Sequence, residues 1–299
     1  MLKRTITGAV ILLITVLFVA LRHFSALIFD AYALIISYCC LYEMLKARKL
    51  SGSNASAVPL FFVPALACVI FVFESSFVKI VAYFLALALG VLIYALTEDI
   101  IILAKKRKEG TNEKNLTVLN HSLFERTKNT MQTLAYPLLP LIALFGINHL
   151  GYGIGFMGII LVFAVSMLTD TVAYFFGVAF GKRKFVPEVS PNKTIAGMIG
   201  GFVGGIIGAT TCFCAFYFTN VFGLADYPLA LSISAFAVIA VVGSFINQLG
   251  DLVESAFKRR VGIKDSSNVF PGHGGFLDRV DGQMFTAVLI YAIFLIFLV

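Results

Sequence analysis

Apolar residues in this chain come in solid blocks of about 17 to 25, and a helix of that length crosses a hydrocarbon core of ~30 Å. Nine such blocks can be drawn, at 5–21, 24–45, 57–73, 77–97, 130–147, 152–178, 196–218, 227–250 and 283–299. Long runs without period-two alternation do not suit a transmembrane β-barrel. The 299 residues could in principle make two soluble domains. With 60% hydrophobic and only 13% charged residues, however, the chain carries about half the charge share of a soluble domain. The expectation is an all-α polytopic integral membrane protein of about nine helices. The first block follows Lys3 and Arg4 as in a signal peptide, but no small-residue cleavage site follows it, so it reads as a retained span. Cys39, Cys40, Cys68, Cys212 and Cys214 all lie in apolar runs without zinc or redox spacing, and read as small hydrophobes.

Charge orients the bundle. If the N-terminus is cytoplasmic, 21 of the 23 Lys and Arg fall on that side, leaving only Arg22 and Lys79 outside. The net charge of +7 then reflects orientation and attraction to anionic lipid, and no nucleic-acid module is visible. Two segments on the basic side exceed the length of a turn. Residues 98–129 mix Lys, Glu, Asn and Thr and read as a solvated loop with a short helix. Residues 251–282 instead interleave acids and bases with Pro271-Gly-His-Gly-Gly275, where glycines permit close backbone approach to a ligand.

Several polar constellations stand out against the apolar background. If the eighth span continues as helix past Gly250, then Ser244, Gln248, Asp251, Ser255 and Lys258 form one polar stripe at three- and four-residue intervals. A snorkelling helix end is the plainer alternative. In the sixth span Ser166, Asp170 and Tyr174 follow four-residue steps. An intramembrane aspartate costs about 2.5–3.5 kcal/mol even on lenient scales, so Asp170 needs a partner or a wet cavity. Asp170 is a site candidate, and a hydrogen-bonded acid that locks neighbouring helices is the competing explanation. Ser190-Pro-Asn-Lys193-Thr194 precedes the Gly-rich seventh span, where Asn192 or Thr194 would cap the new helix and its N-terminus would suit a phosphate beside Lys193. Gly197, Gly200, Gly201, Gly204, Gly205 and Gly208 lack the strand and trailing lysine of a phosphate loop, and read as a close-packing face.

Asp251, Asp278 and Asp281 offer hard oxygen ligands without matching His or Cys, which favours Mg²⁺ over zinc. Lys258, Arg259, Lys264 and Arg279 suit a polyphosphate. Together they point to phosphoryl or nucleotidyl transfer, in which positioning and charge neutralisation need no protein nucleophile. A structural ion-pair network is the competing explanation.

The run Ser255-Ala-Phe-Lys258-Arg259, then Lys264-Asp265, then Phe270-Pro-Gly-His273-Gly-Gly-Phe-Leu-Asp278-Arg279-Val-Asp281 resembles the signature of the phosphatidate cytidylyltransferase (CDP-diacylglycerol synthase) family at every fixed position. The likeness extends through Gln248–Glu254 and Asp170–Tyr174 and covers roughly residues 130–299, whereas residues 1–129 match only as variable hydrophobic helices and loop. It departs where the family reads Ser-Pro-Lys-Lys-Thr, then Glu-Gly two residues on: Asn192 replaces the first lysine and Ala196 the glutamate.

The resemblance implies transfer from CTP to phosphatidic acid, yielding CDP-diacylglycerol and pyrophosphate, with Mg²⁺ alone or with a second metal ion. It further implies a cytoplasm-facing site in the cell membrane, contact with membrane lipids, a homodimer and no nucleic acid. By the same resemblance Asp251 and Asp278 hold metal, with Asp281 close by, and Lys258, Arg259, Lys264 and Arg279 bind the triphosphate and the lipid phosphate. Ser190, Lys193, Thr194, Asp170, Tyr174 and Ser255 complete the binding wall. His273 could serve as a base or hydrogen-bond the backbone or a phosphate. A CTP-dependent polyprenol or phytol kinase is the alternative within the superfamily, and a secondary transporter the alternative outside it.

Overall fold

The computed structural model describes residues 2–50, 55–73, 90, 93, 100, 104, 113–272 and 274–297. Within them the chain is mostly helical, with one small hairpin and a few loops, the longest at residues 261–276. The helices are α1 (Leu2–Leu21), α2 (Ala26–Leu50), α3 (Ala57–Phe73), α4 (Glu113–Thr133), α5 (Leu139–Asn148), α6 (Tyr152–Phe180), α7 (Ile195–Thr219), α8 (Leu229–Val238), α9 (Ser244–Arg260) and α10 (Leu277–Phe297). Six continuous helical stretches are long and apolar enough to cross a membrane: 26–50, 123–148, 153–180, 195–219, 229–260 and 277–297. Shorter apolar helices at 6–21 and 57–72 match the first and third expected spans. Of the fourth expected span, 77–97, only Gly90 and Ile93 are described, both helical. The protein is an all-α polytopic membrane protein.

Both breaks inside long helices have local causes. Between α4 and α5, a wide turn at Leu134–Leu138 contains Pro137, which has no N–H to donate, and Tyr136 is extended (φ −146°, ψ 121°). Between α8 and α9, the wide turn Ile239–Gly243 is followed by Ser244, whose hydroxyl donates back to the Ala240 carbonyl.

The closest pairing is α6 against α7, and the glycine face causes it. Gly197, Gly200, Gly201, Gly204, Gly205 and Gly208 are all buried, and a Cβ at Gly204 would collide with the Leu168 carbonyl. Gly201 and Gly205 make room for Gln248 and Ser244 of α9, so the stripe serves two neighbours. Gly204→Ala is therefore expected to lower the melting midpoint in detergent, at an overpacking cost of about 1–3 kcal/mol. An unchanged midpoint would show that α6 and α7 can part freely.

The apolar core lies where α2, α3, α5, α6 and α10 meet, with Phe29, Leu41, Leu60, Leu141, Phe145, Leu161 and Phe294 fully buried. At the end of the bundle where α1 and α5 finish, Arg22 Nε donates to Asn148 Oδ1 (2.5 Å), and Asp30 accepts from Asn148 Nδ2 (2.8 Å) and meets His149 Nε2 (2.8 Å). That polar knot ties α1, α2 and α5 together, leaving the opposite end for the site.

Three connections differ from their expected form. Residues 113–129, expected within a solvated loop with a short helix, are helical throughout and run into the start of the fifth expected span as α4, helped in its last turns by a Glu125–Lys128 pair (2.7 Å). The 182–193 segment is a hairpin of β1 (Lys184–Val186) against β2 (Ser190–Thr194), antiparallel, with Lys184 opposite Thr194. The 251–282 stretch is helical at both ends, because the polar stripe does continue the eighth span and α10 begins at Leu277. Only residues 261–276 lie outside helices.

Candidate active site

Each wall of the site follows from local sequence. In α9, residues four apart share a face: Ser255 Oγ donates to Asp251 Oδ1 (3.2 Å), and Lys258 Nζ pairs with Glu254 Oε2 (2.5 Å). The helix stops at Gly262, which takes a left-handed φ of +75° while Ile263 N closes back on the Lys258 carbonyl (2.9 Å). The loop then returns to α10 through Gly272 and Gly274, both at φ +79°, with a short bridge from Phe270 N to Gly274 O (2.9 Å). Across the site, Thr194, one of the two expected capping candidates, caps α7 by accepting from Gly197 N (3.0 Å), and Asn192 lies outside the cap.

Asp278, in the first turn of α10, organises this loop. Its Oδ1 accepts from Lys258 Nζ (2.6 Å), and its Oδ2 accepts from Gly275 N (2.7 Å), Ser266 N (2.9 Å) and Ser266 Oγ (2.5 Å). Lys258 is thereby fixed between two carboxylates, with its side chain only 12% exposed. Asp251 pairs instead with Lys193 of the hairpin (2.8 Å), whose ammonium also donates to the Gln248 carbonyl (3.4 Å). Arg259 Nε donates to the Val189 carbonyl (3.2 Å), a second tie between α9 and the hairpin.

Three cavities meet at Asp170, a carboxylate held by Asn247 Nδ2 (2.8 Å), with the buried Asn247 also accepting from Thr286 Oγ1 (3.4 Å). The polar cavity, about 420 Å³, is lined by six carboxylates (Asp170, Asp251, Glu254, Asp265, Asp278, Asp281) against three cations (Lys258, Lys264, Arg279). A second, about 540 Å³, is mainly apolar and runs between α6, α7 and α9 past Tyr174, Lys193 and Thr194. A third, about 530 Å³, runs from the same carboxylates between α1, α2 and α6, past Ile11, Phe18, Ile36 and Phe163.

Ligand atoms of Asp251, Glu254 and Asp281 lie within 4.8 Å of one another. Glu254 is buried and its Oε1 has no hydrogen-bond partner. Among the described residues no cation lies within ion-pair distance of Asp281. A cluster of oxygens with an orphaned buried acceptor and a surplus of negative charge suits a hard divalent cation.

Asp170, Asp251, Lys258, Lys264, Asp278, Arg279 and Asp281 thus share one cavity, and Tyr174, Lys193 and Thr194 line the next. Ser190, Ser255 and Arg259 line none of the three, although Ser255 touches Asp251. His273 lies outside the described residues. Asn247 and Glu43 were not singled out from the sequence, and Glu254 stood there only among the acids of 251–282, without a site role. The rule that marks Asp170, an acid inside an apolar run, marks Glu43 equally, and Glu254 continues the polar side of α9 one residue from Ser255.

The sequence model of the cytidylyltransferase family matches residues 2–297. A Staphylococcus saprophyticus protein named phosphatidate cytidylyltransferase is 35% identical over 215 residues, covering 68% of this chain and 75% of that protein. Proteins of the same name from Staphylococcus haemolyticus and Staphylococcus aureus (strain N315) are each 36% identical over 177 residues, covering 58% of this chain and 64% of theirs, just under two thirds. With the family matched across nearly the whole chain and the site residues gathered at one end of the bundle, this membrane protein belongs to the cytidylyltransferase family and is a nucleotidyltransferase.

Proposed function

We propose that the chain is a phosphatidate cytidylyltransferase, joining CTP to phosphatidic acid at the cytoplasmic face of the cell membrane. The observation that carries this reading is one polar, acid-rich cavity opening into two apolar ones at Asp170. A triphosphate and a lipid acceptor need such neighbours. The orientation is supported by the 21 of 23 basic residues assigned to the side that includes the site. The homodimer is part of the same reading, and light scattering in a defined detergent checks it.

A phosphate oxygen of the lipid attacks the α-phosphorus of CTP, the α–β P–O bond breaks and pyrophosphate leaves. The acceptor is already an anion, so no protein base has to remove a proton. Lys264 and Arg279 line the polar cavity as cations with no ion-pair partner among the described residues, while Lys258, fixed by Glu254 and Asp278, presents its charge in one place. Lys193 stands where the polar cavity meets the apolar one beside Asp251, within reach of a lipid phosphate entering there.

Asp251, Glu254 and Asp281 fit a divalent cation, and Mg²⁺ suits this reading because it takes one or two carboxylates together with the phosphate oxygens of a bound triphosphate. When bound, such an ion supplies charge neutralisation at the phosphates and the leaving pyrophosphate. Asp278, a ligand by resemblance, has both oxygens engaged by Lys258 and the loop.

The test is labelled CTP with phosphatidic acid, with and without Mg²⁺. CDP-lipid and pyrophosphate are expected, falling to background in EDTA and returning with added Mg²⁺. CDP with a newly phosphorylated lipid alcohol would instead identify a kinase, and full turnover in EDTA would remove the metal.

A further inference from the structure

Glu43 belongs to α2, far in sequence from the site, and is 2% exposed. Its carboxylate is fully occupied. Oε1 accepts from Ser267 Oγ (2.5 Å) and Phe276 N (3.0 Å), and Oε2 accepts from Leu277 N (2.9 Å) and lies 3.2 Å from Ser266 Oγ, whose single proton goes to Asp278. A buried carboxylate is costly unless paired or richly hydrogen-bonded, and here three donors and the N-terminus of α10 offset that cost. Gly275 lies so close that a Cβ there would strike this carboxylate.

The donors sit at both ends of the stretch that forms one wall of the polar cavity. Lys264, Asp265, Asn268, Gly272 and Gly274 come from that stretch. Ser266 lies between two carboxylates, Glu43 on one side and Asp278 on the other, and Asp278 grips Lys258. Glu43 itself lines none of the three cavities.

We propose that Glu43 is a positioning residue for nucleotide binding, acting through Ser266, Ser267 and the first turn of α10 to hold Lys264 and Lys258 where they meet the triphosphate. This rests on reading the polar cavity as the CTP site. Because Phe276 N and Leu277 N address different carboxylate oxygens, Glu43→Gln leaves one backbone N–H facing an amide NH₂ in either orientation. The wall then loses its anchor while side-chain size is kept.

Full-length protein in detergent is assayed for binding of labelled CTP in Mg²⁺ without lipid, for KM and kcat with phosphatidic acid, and for melting. Glu43→Gln is expected to raise both Kd and KM for CTP about tenfold or more, with KM for the lipid within about twofold. Ser267→Ala, which removes a single hydrogen bond, is expected to raise them about threefold. A purely structural role would lower the melting midpoint and the active fraction yet leave CTP affinity of the folded protein within about twofold, and that result overturns the proposal. If Glu43→Gln does not fold, Ser267→Ala decides by the same criterion. Wild-type protein that binds CTP but makes no CDP-lipid would refute the acceptor alone, whereas wild-type protein that binds no CTP would take this proposal down with the site reading.

Discussion

Asp281→Asn is expected to reduce CDP-lipid formation about a thousandfold while the melting midpoint, measured without divalent cations, stays level or rises. Its carboxylate faces Asp251 and Glu254 within 4.8 Å, and among the described residues the paired lysines serve other acids: Lys193 holds Asp251, and Lys258 holds Glu254 and Asp278. Neutralising Asp281 relieves like-charge repulsion in the protein without metal, hence the sign of the stability effect. It also removes a ligand from a group worth several kcal/mol to the transition state, at about 1.4 kcal/mol per factor of ten. The accompanying measurement is the Mg²⁺ concentration at half-maximal rate, expected to rise. Activity within tenfold of wild type at saturating Mg²⁺ and CTP would rule out the assignment of Asp281.

Asp278→Asn is expected to lose activity at least a hundredfold as well, but for a different reason and with the opposite effect on stability. Asp278 accepts from Lys258 on one oxygen and from the loop donors of Gly275 and Ser266 on the other. An amide must turn its NH₂ toward one of those donor sets. Lys258 and Asp278 are both largely buried, at 12% and 6% side-chain exposure, and breaking such a pair costs about 3–5 kcal/mol. A fall of many degrees in melting midpoint should therefore accompany the loss of rate. A variant that melts like wild type and recovers activity with more Mg²⁺ would make Asp278 a metal ligand and not the organiser of the loop.

Much of this arrangement was legible in the residue order. Block lengths gave the helices, three- and four-residue spacing carried α9 on through Asp251, Ser255 and Lys258, and the glycine intervals marked the face of α7. Thr194 was readable as a cap because an oxygen-bearing side chain before an apolar helix start has a defined partner, here Gly197 N. The hairpin at 184–194 was not legible, being only three residues paired with five and held as much by Arg259 and Lys193 as by its own strands. Helix α4 was obscured because its polar composition resembles a solvated loop.

Short-range periodicity and the cost of charge in hydrocarbon are written in the residue order, and they fix membrane helices, a polar stripe, acids that must find partners, and a signature specific enough to suggest a chemistry. Which acid meets which base is settled by the packing of the folded helices. Asp278 and Asp281 are three residues apart on one helix, yet Lys258 and Ser266 engage the first, while the second turns toward Asp251 and Glu254. Glu43 reaches its partners across more than two hundred residues, with the Leu277 N–H 234 positions away. Spacing rules carry no information over such separations, because contacts of that kind depend on how packed helices bring distant turns together, and a carboxylate is assigned its role by the donors that surround it.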